Sequence, residues 1–399
     1  MASADTPKQN SSTTARTAFT FVVCIGTVSL LADMTYEGGA SINGQFLGGL
    51  GASAATISIV AGLGEFLGYA LRSVSGYVSD KSRQYWLITF LGYGINLLAV
   101  PAMALAGNWQ VAAALLLAER IGRAIRKPNI EAMLSYTTGQ LGRGWVYGLH
   151  TAMDETGATL GPLLMALAMY QRVGYRASYV WLLAPAFAAL IALTVARIIF
   201  PVPARLQAGP TATATGFTRP YWLYMLAASC FGAGLMSFEF IANHLANSGF
   251  VPDYWVPIMI AIATVASIAS SLILGRLFDR VGLPVIFVAI PIAACFSPLV
   301  FYGGFNALIV GMIFWGVGYS VQDSLLKAII AGLLPEGRRS LAFGLFYTGY
   351  GVAWLIGSVV TGLLYEWSRP GLIAFAIGAQ LASLPIFAIA RRAELKQGG

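Results

Sequence analysis

Long apolar stretches recur along the chain with short polar breaks between them. Twelve of them reach the roughly 20 residues that a helix needs to cross a hydrocarbon core about 30 Å thick. Their approximate limits are 17–46, 53–78, 85–106, 109–134, 144–170, 176–200, 220–246, 254–277, 282–303, 305–333, 339–366 and 370–392. The pattern predicts an all-α membrane protein with 12 transmembrane helices. Six runs fall in 17–200 and six in 220–392, with an N-terminal tail at 1–16 and a C-terminal tail at 393–399. The connection at 201–219, rich in Pro, Ala, Thr and Gly, reads as a linker between two six-helix bundles. The polar N-terminus lacks the basic-then-apolar order of a cleavable signal, so the first run is expected to be a retained span.

Composition agrees with this pattern. Hydrophobic residues make up 57% of the 399 and charged residues only 10%, against roughly 25% charged in a soluble domain; mean hydropathy is +0.72. The net charge of +8 suggests nucleic acid until the basic residues are sorted by side. With the N-terminus inside, the inner side holds Lys8, Arg16, Lys81, Arg83, Arg143, Arg197, Arg205, Arg219, Arg276, Arg280, Arg338, Arg339, Arg391, Arg392 and Lys396. The outer side holds only Arg172, Arg176 and Arg369. The excess marks topology, with both termini cytoplasmic, and not a nucleic-acid partner. The three cysteines (Cys24, Cys230, Cys295) lie in apolar runs without CxxC spacing and read as small core residues.

An internal repeat connects the two bundles. Gly76-Tyr-Val-Ser-Asp80-Lys81 after helix 2 reappears 199 residues later as Gly275-Arg-Leu-Phe-Asp279-Arg280 after helix 8. Gly148 and Gly161 of helix 5 match Gly344 and Gly357 of helix 11 at a shift of 196. Parallel six-helix repeats with a site between them near the midplane are a known transporter plan. On these residues the chain resembles the major facilitator superfamily over essentially its whole length. The two Gly-x-x-x-Asp-Lys/Arg loops resemble that superfamily's motif A. Gly148, Gly157 and Gly161-Pro162 resemble motif C of drug:proton antiporters, although Met165-Ala166 stands where a Gly pair often closes that motif. Arg120 matches the arginine of motif B, with Arg123-Ala124 in place of its usual Gln-Gly. The resemblance implies two bundles related by a pseudo-two-fold axis, a monomer, and residence in a bacterial inner membrane.

Asp80 and Asp279 are each placed to cap a neighbouring helix or to pair with a basic side chain, or else simply to solvate a tight turn. With Gly76, Lys81, Arg83, Gly275 and Arg280 they form candidate gates that hold in one access state and break in the other. Gly157 and Gly161 offer a small-residue face for close packing, and Pro162 removes one backbone hydrogen bond. Ionisable groups within a bilayer are costly and functional by default, and they concentrate in the first half. Asp33, Glu37, Glu65, Asp154 and Glu155 are the proton-coupling candidates, with Arg120 or Arg123 as counter-charge or as anchor for a substrate anion. A static ion-pair network is the other reading of the same set. The 196-residue shift aligns Lys127 with Asp323 and Glu131 with Lys327, so an inner gate of two cross-half pairs is expected, with i,i+4 pairs as the alternative.

For a substrate wall the second half offers Trp315, Tyr319, Gln322, Tyr347, Tyr350, Trp354, Phe238 and Glu239, suited to an amphiphilic organic ligand or else to packing. His150, one turn before Asp154, is a further proton-path candidate. The expectation is a proton-coupled secondary transporter exporting a small amphiphilic compound by alternating access. Its partners would be that substrate and membrane lipid, with no cofactor beyond the coupling proton. Import of a small organic anion, and a non-transporting receptor or lipid-flipping protein on the same scaffold, are the alternatives. No catalytic Ser/His/Asp set, no paired metal ligands and no GKS/T nucleotide loop occurs, so neither an enzyme nor an ATP-driven pump is expected.

Overall fold

The computed structural model describes residues 8–207, 216–238, 240–241, 244–245 and 255–397. They form helical rods, with no strand among the described residues. In the first half these are α1 (Lys8–Gly49), α2 (Ala54–Ser82), α3 (Tyr85–Ala102), α4 (Trp109–Ser135), α5 (Arg143–Tyr170) and α6 (Tyr175–Trp181 continuing as Leu183–Ile199). In the second they are α7 (Arg219–Gly234, with further helical residues beyond a break), α8 (Trp255–Val281), α9 (Ile286–Ala294 continuing as Phe296–Tyr302), α10 (Phe305–Ser320 and Leu326–Ala331, joined by a π-helical turn at Val321–Leu325), α11 (Arg339–Trp367) and α12 (Arg369–Gln397). Eight of the rods are long and apolar enough to cross a membrane. The others are α2, α4 and α5, which carry most of the intramembrane charges, and the interrupted α7. The chain is an integral membrane protein of the expected class.

Local chemistry sets the helix ends. Ser53 and Asn108 accept hydrogen bonds from the amides of Thr56 and Val111, capping α2 and α4. Arg83 closes α2 in the left-handed region, its amide bonded to the Ser79 carbonyl. Large apolar side chains such as Phe66, Val74, Ile198, Val265 and Ile356 point outward, as a lipid-facing surface requires. α1 packs along α5 and α6, and α2 and α3 pack on α4; α7 lies between α11 and α12, and α8 packs on α10. The halves meet along two seams, α2 with α11 and α5 with α8, which the internal repeat interchanges.

Glycine sets how closely these rods approach. At Gly157 and Gly161 a Cβ would run into the carbonyls of Leu30 and Met34 on α1. At the seams Gly144 faces Gly275, and Gly344 faces the backbone of Arg72. α5 runs on as helix through Pro162.

Two departures from regular helix were not expected from the apolar pattern. α7 unwinds at Leu235–Ser237, where the freed carbonyls of Gly234 and Met236 accept from Gln380 Nε2 (3.0 Å) and Trp315 Nε1 (2.8 Å). Non-helical backbone within a membrane requires such partners. The π-turn in α10 inserts an i→i+5 register where the repeat alignment assumes an α-helix. The first turns of α1 and the last turns of α12 lie at one end of the bundle: Phe21 of α1 packs on Phe200 after α6 (5.1 Å between ring centroids), and Glu394 of α12 accepts from Tyr224 near the start of α7 (2.8 Å). The start of the linker docks at this end as well, with Gln140 donating to the Leu206 carbonyl.

This packing makes a signed prediction. G161A and G157A force α5 off α1 and are each expected to destabilise the chain by about 1–3 kcal/mol. G94A, whose added methyl would meet open space, is expected to hold or raise stability by up to about 1 kcal/mol. Thermal unfolding in detergent with all three variants checks the opposite signs.

Candidate functional site

The first four amides of any helix lack intrahelical partners and carry positive partial charge. Neither α5 nor α11 has a side-chain cap of its own. Each is capped from the opposite half. Asp80, at the end of α2, accepts from the amides of Ser340 (3.2 Å) and Leu341 (2.7 Å) at the start of α11. Asp279, at the end of α8, accepts from the amides of Gly144 (2.7 Å) and Trp145 (2.6 Å) at the start of α5. The expected capping role is thus met twice, across both seams. Tyr85 donates a further bond to Asp80 (2.8 Å), which is half-buried, whereas Asp279 faces solvent. Gly142, at φ +91°, sits where the Asp279 carboxylate leaves no room for a Cβ. Arg339 adds a third tie, donating to Ser135 Oγ and Gln207 Oε1. Lys81, Arg83 and Arg280 are exposed and make no ion pair among the described residues.

Above these latches, toward the middle of the bundle, lies a buried floor. Lys327 Nζ stands 3.3 Å from Glu131 Oε1, and Tyr347 donates to the same oxygen (2.9 Å). Both charged side chains are fully buried. The expected Glu131–Lys327 pair across the halves is present. Its companion is not: Lys127 lies 3.4 Å from Asp154 in its own half, and Asp323 lies 3.5 Å from Lys327 in its own helix. Asp323 lies inside the π-turn, where the backbone departs from the α-helix that the repeat alignment assumes, while Lys327 beyond it keeps the expected partner. Thr151 still ties α5 to this turn by donating to the Asp323 carbonyl.

Over the floor is a cavity of about 120 Å³, lined from the first half by Asp33, Tyr36, Glu37, Tyr69, Arg72, Arg123, Lys127, Asp154, Glu155 and Ala158, and from the second by Tyr319, Gln322, Asp323, Phe346, Tyr347 and Tyr350. Charge is concentrated on the first half's wall, as expected. Asp33 faces Arg126 (3.7 Å), which also donates to Tyr93 and Asn96. Arg123 lies over the Tyr36 ring (3.7 Å to its centroid), bonds Glu119 (3.0 Å) and reaches Glu37 (4.0 Å). Arg120 pairs with Glu65 (2.7 Å) and Glu119 (3.3 Å). Glu65 lies outside the cavity lining. His150 contacts Ser29 (3.0 Å) and stands 3.5 Å from Asp154.

The structure redistributes several expected residues. The counter-charges facing Asp33 and Asp154 are Arg126 and Lys127, not Arg120 or Arg123. Trp315, Trp354 and Phe238 lie outside the cavity lining: Trp315 stacks on Tyr319 (5.3 Å) and holds the α7 break, Phe238 packs on Trp315 (6.2 Å), and Trp354 neighbours Tyr69 (6.5 Å). Tyr350 donates to Gln322 (2.6 Å), joining two lining residues. Glu239 lies outside the described residues. Sequence alone does not single out the lining residues Tyr36 and Tyr69, and it marks Arg72 only as one more intramembrane charge. For Tyr69 and Arg72 a signal existed, since residues 69, 72 and 76 share one face of α2 with the repeated glycine.

The floor and latches yield a paired prediction. E131K or K327E alone opens the latched end, read as a longer distance between spin labels at positions 82 and 392; the double reversal restores the wild-type distance. D80N lengthens the same distance more than D279N, because the Asp80 carboxylate is less hydrated and has a third donor. Equal effects of D80N and D279N, or no rescue by the double reversal, would contradict this account.

Comparisons with known proteins agree with this geometry. The family model of the Major Facilitator Superfamily matches residues 18–305 and 255–398. An uncharacterised protein of Mycobacterium tuberculosis is 33% identical over 380 residues, covering 93% of this chain and 92% of its own length. An uncharacterised MFS-type transporter of Methanocaldococcus jannaschii is 26% identical over 375 residues, covering 90% and 92%. Among solved structures, a bacterial homologue of the iron transporter ferroportin in an outward-facing state superposes with a TM-score of 0.72 at 13% identity, covering 93% of this chain and 99% of that one. The human organic anion transporter MFSD10 gives 0.74 at 13% identity, covering 94% and 99%. These likenesses establish the fold, and the family match with the repeated capping loops places the chain in the major facilitator superfamily.

Proposed function

We propose that this chain is a proton-coupled secondary transporter that exports a small organic compound by alternating access, as a monomer in a bacterial inner membrane with both termini cytoplasmic. The observation that carries the reading is Glu155. Of the five carboxylates on the cavity wall, Asp33, Glu37, Asp154 and Asp323 each have a basic side chain within 4.0 Å. Glu155 has none among the described residues. Protonating Asp33 or Asp154 strands Arg126 or Lys127, each without a second carboxylate partner among the described residues, which costs several kcal/mol; protonating Glu37 or Asp323 gives up one of the two ion pairs of Arg123 or Lys327. Protonating Glu155 strands nothing, so it is the group that can load and release a proton as the cavity changes sides. The aromatic rings opposite suit an apolar body, and the cavity volume points to a compound smaller than the occupants of typical 300–1,000 Å³ drug sites. The outward direction is supported by the resemblance of α5 to the glycine–proline pattern of antiporters, and the termini by the distribution of basic residues.

Glutamine mimics a protonated glutamate, which sets the sign of the test. Spin labels at positions 107 and 304, in a chain whose three cysteines are replaced by alanine, report opening of the end opposite the latches. The wild-type distance distribution is expected to shift between alkaline and acid buffer, while E155Q shows the acid distribution in both. A pH response that survives in E155Q removes Glu155 as the coupling group. Direction is read in inverted vesicles with an acidified lumen, where an exporter discharges the gradient when its substrate is added. A panel of small aromatic acids and amines, followed by acridine-orange dequenching, supplies the substrates. Proton-driven uptake seen only in right-side-out vesicles would establish import instead.

A further inference from the structure

The cavity wall carries three cations, and two are already engaged: Arg123 with Glu119 and Glu37, and Lys127 with Asp154. Arg72 is different. It is 8% exposed and lines the cavity, yet no carboxylate lies within ion-pair distance of it among the described residues. Its Nε donates to the Gly68 carbonyl one turn back (2.9 Å). Its guanidinium lies over the rings of Tyr69 (4.4 Å) and Tyr347 (4.5 Å), one from each half. One edge of the fork is therefore anchored and its plane is held by two aromatic faces, while the terminal amino groups have no acceptor among the described residues. A buried, unpaired charge is costly, and a fixed planar fork is the geometry that recognises a carboxylate with two parallel hydrogen bonds.

We propose that Arg72 is the substrate anchor of this cavity and that it takes the carboxylate of a small aromatic or aliphatic monoacid. A single charge is specified because only one wall cation is uncommitted; a dianionic phosphate would leave half its charge unpaired. The apolar body of the acid lies against the rings that surround the fork. The proposal rests on the transport reading above and names the substrate class for the same cavity. It also places the ligand on the α2–α11 seam, where Gly344 packs against the backbone of Arg72. A carboxylate bound there replaces part of what holds Tyr347 to Arg72, so occupancy bears directly on whether the two halves remain closed.

The test is equilibrium binding to detergent-purified full-length protein by calorimetry, with acetate, benzoate and indole-3-acetate, each against its neutral amide, and with benzylamine as cation. At least one acid is expected to bind at millimolar concentration or below, with its amide and benzylamine binding about tenfold or more weaker. R72Q is expected to abolish that preference and R72K to restore part of it. Should R72Q fail to elute as a monodisperse species, phenylglyoxal labelling of Arg72 in the wild type serves the same purpose: the acid protects Arg72 and the amide does not. Binding of no acid in the panel, or equal binding of acid and amide, overturns the assignment, as does acid binding unchanged in folded R72Q. The two readings are separated in the chain with both residues intact: the preference for acid over amide tests Arg72, and the ligand-free pH shift between labels at positions 107 and 304 tests the proton reading. Loss of one result without the other identifies which reading fails.

Discussion

Two carboxylates, each seated on the first amides of a helix from the opposite half, are the constraint around which this structure is arranged. Without Asp80 on α11 and Asp279 on α5, both helices would begin with unsatisfied amides at the seam between two bundles. A carboxylate at a helix N-terminus is worth about 0.3–1 kcal/mol, and up to about 2 in partly buried geometry. Two such contacts, with the buried Glu131–Lys327 pair and the Arg339 ties, give a closure energy of a few kcal/mol. That scale suits a switch: tenfold in population is about 1.4 kcal/mol, so a ligand or proton with modest differential affinity can shift the balance. The repeat explains why there are two latches. One loop, duplicated with its half, reaches across the pseudo-two-fold axis to the equivalent helix of the other half.

The charge arrangement around the cavity follows from the cost of burying ions. Arg120 and Arg123 share Glu119, Arg126 is spread over Asp33, Tyr93 and Asn96, and Lys127 answers Asp154. Each is a compensated set within the first half. These pairs tie the helices of that half to one another, while the second half contributes mainly neutral aromatic surface. What remains on the wall after this pairing, among the described residues, is one anion and one cation, Glu155 and Arg72. In a network that otherwise satisfies its charges, these two have chemistry to spare for something that enters from outside.

The fold was legible in the sequence because apolar run length, the sign of the loops and the repeated Gly-x-x-x-Asp pattern all report backbone-scale features. Asp80 and Asp279 were legible for the same reason, since their spacing repeats. The ion-pair partners were not. Arg120, Arg123, Arg126 and Lys127 lie within two turns of one helix, and which of them meets Asp33 or Asp154 depends on rotations that depth alone does not supply. Lys127 does not meet Asp323, which lies within the π-turn of α10, although Lys327 beyond that turn meets Glu131 as the alignment has it. The break in α7 was hidden in an unbroken apolar run. Its signs were the small Gly232-Ala233-Gly234 triplet and two distant donors, Trp315 and Gln380, whose convergence only the packing reveals. Trp315 read as a ligand surface because an indole in a membrane helix looks the same whether it binds substrate or a freed carbonyl.

The geometry also connects the cavity to the latches without an intermediary. On α2, Arg72 lines the cavity and Asp80 holds the latch eight residues away, about 12 Å along the axis at 1.5 Å per residue. On α5, Glu155 and Asp154 line the cavity, and the capped amides of Gly144 and Trp145 lie about 15 Å away on the same rod. The only hydrogen-bonded tie that α5 makes to the opposite half between these points is Thr151 to the π-turn of α10, among the described residues. An event that tilts either helix at the cavity must move its latch, because a helix transmits tilt as a stiff rod. Gly144 against Gly275 and Gly344 against Arg72 leave no slack at the crossings. Coupling between cavity occupancy and closure therefore needs no chain of rearranging side chains. It follows from placing the uncommitted charges and the reciprocal caps on the same two helices.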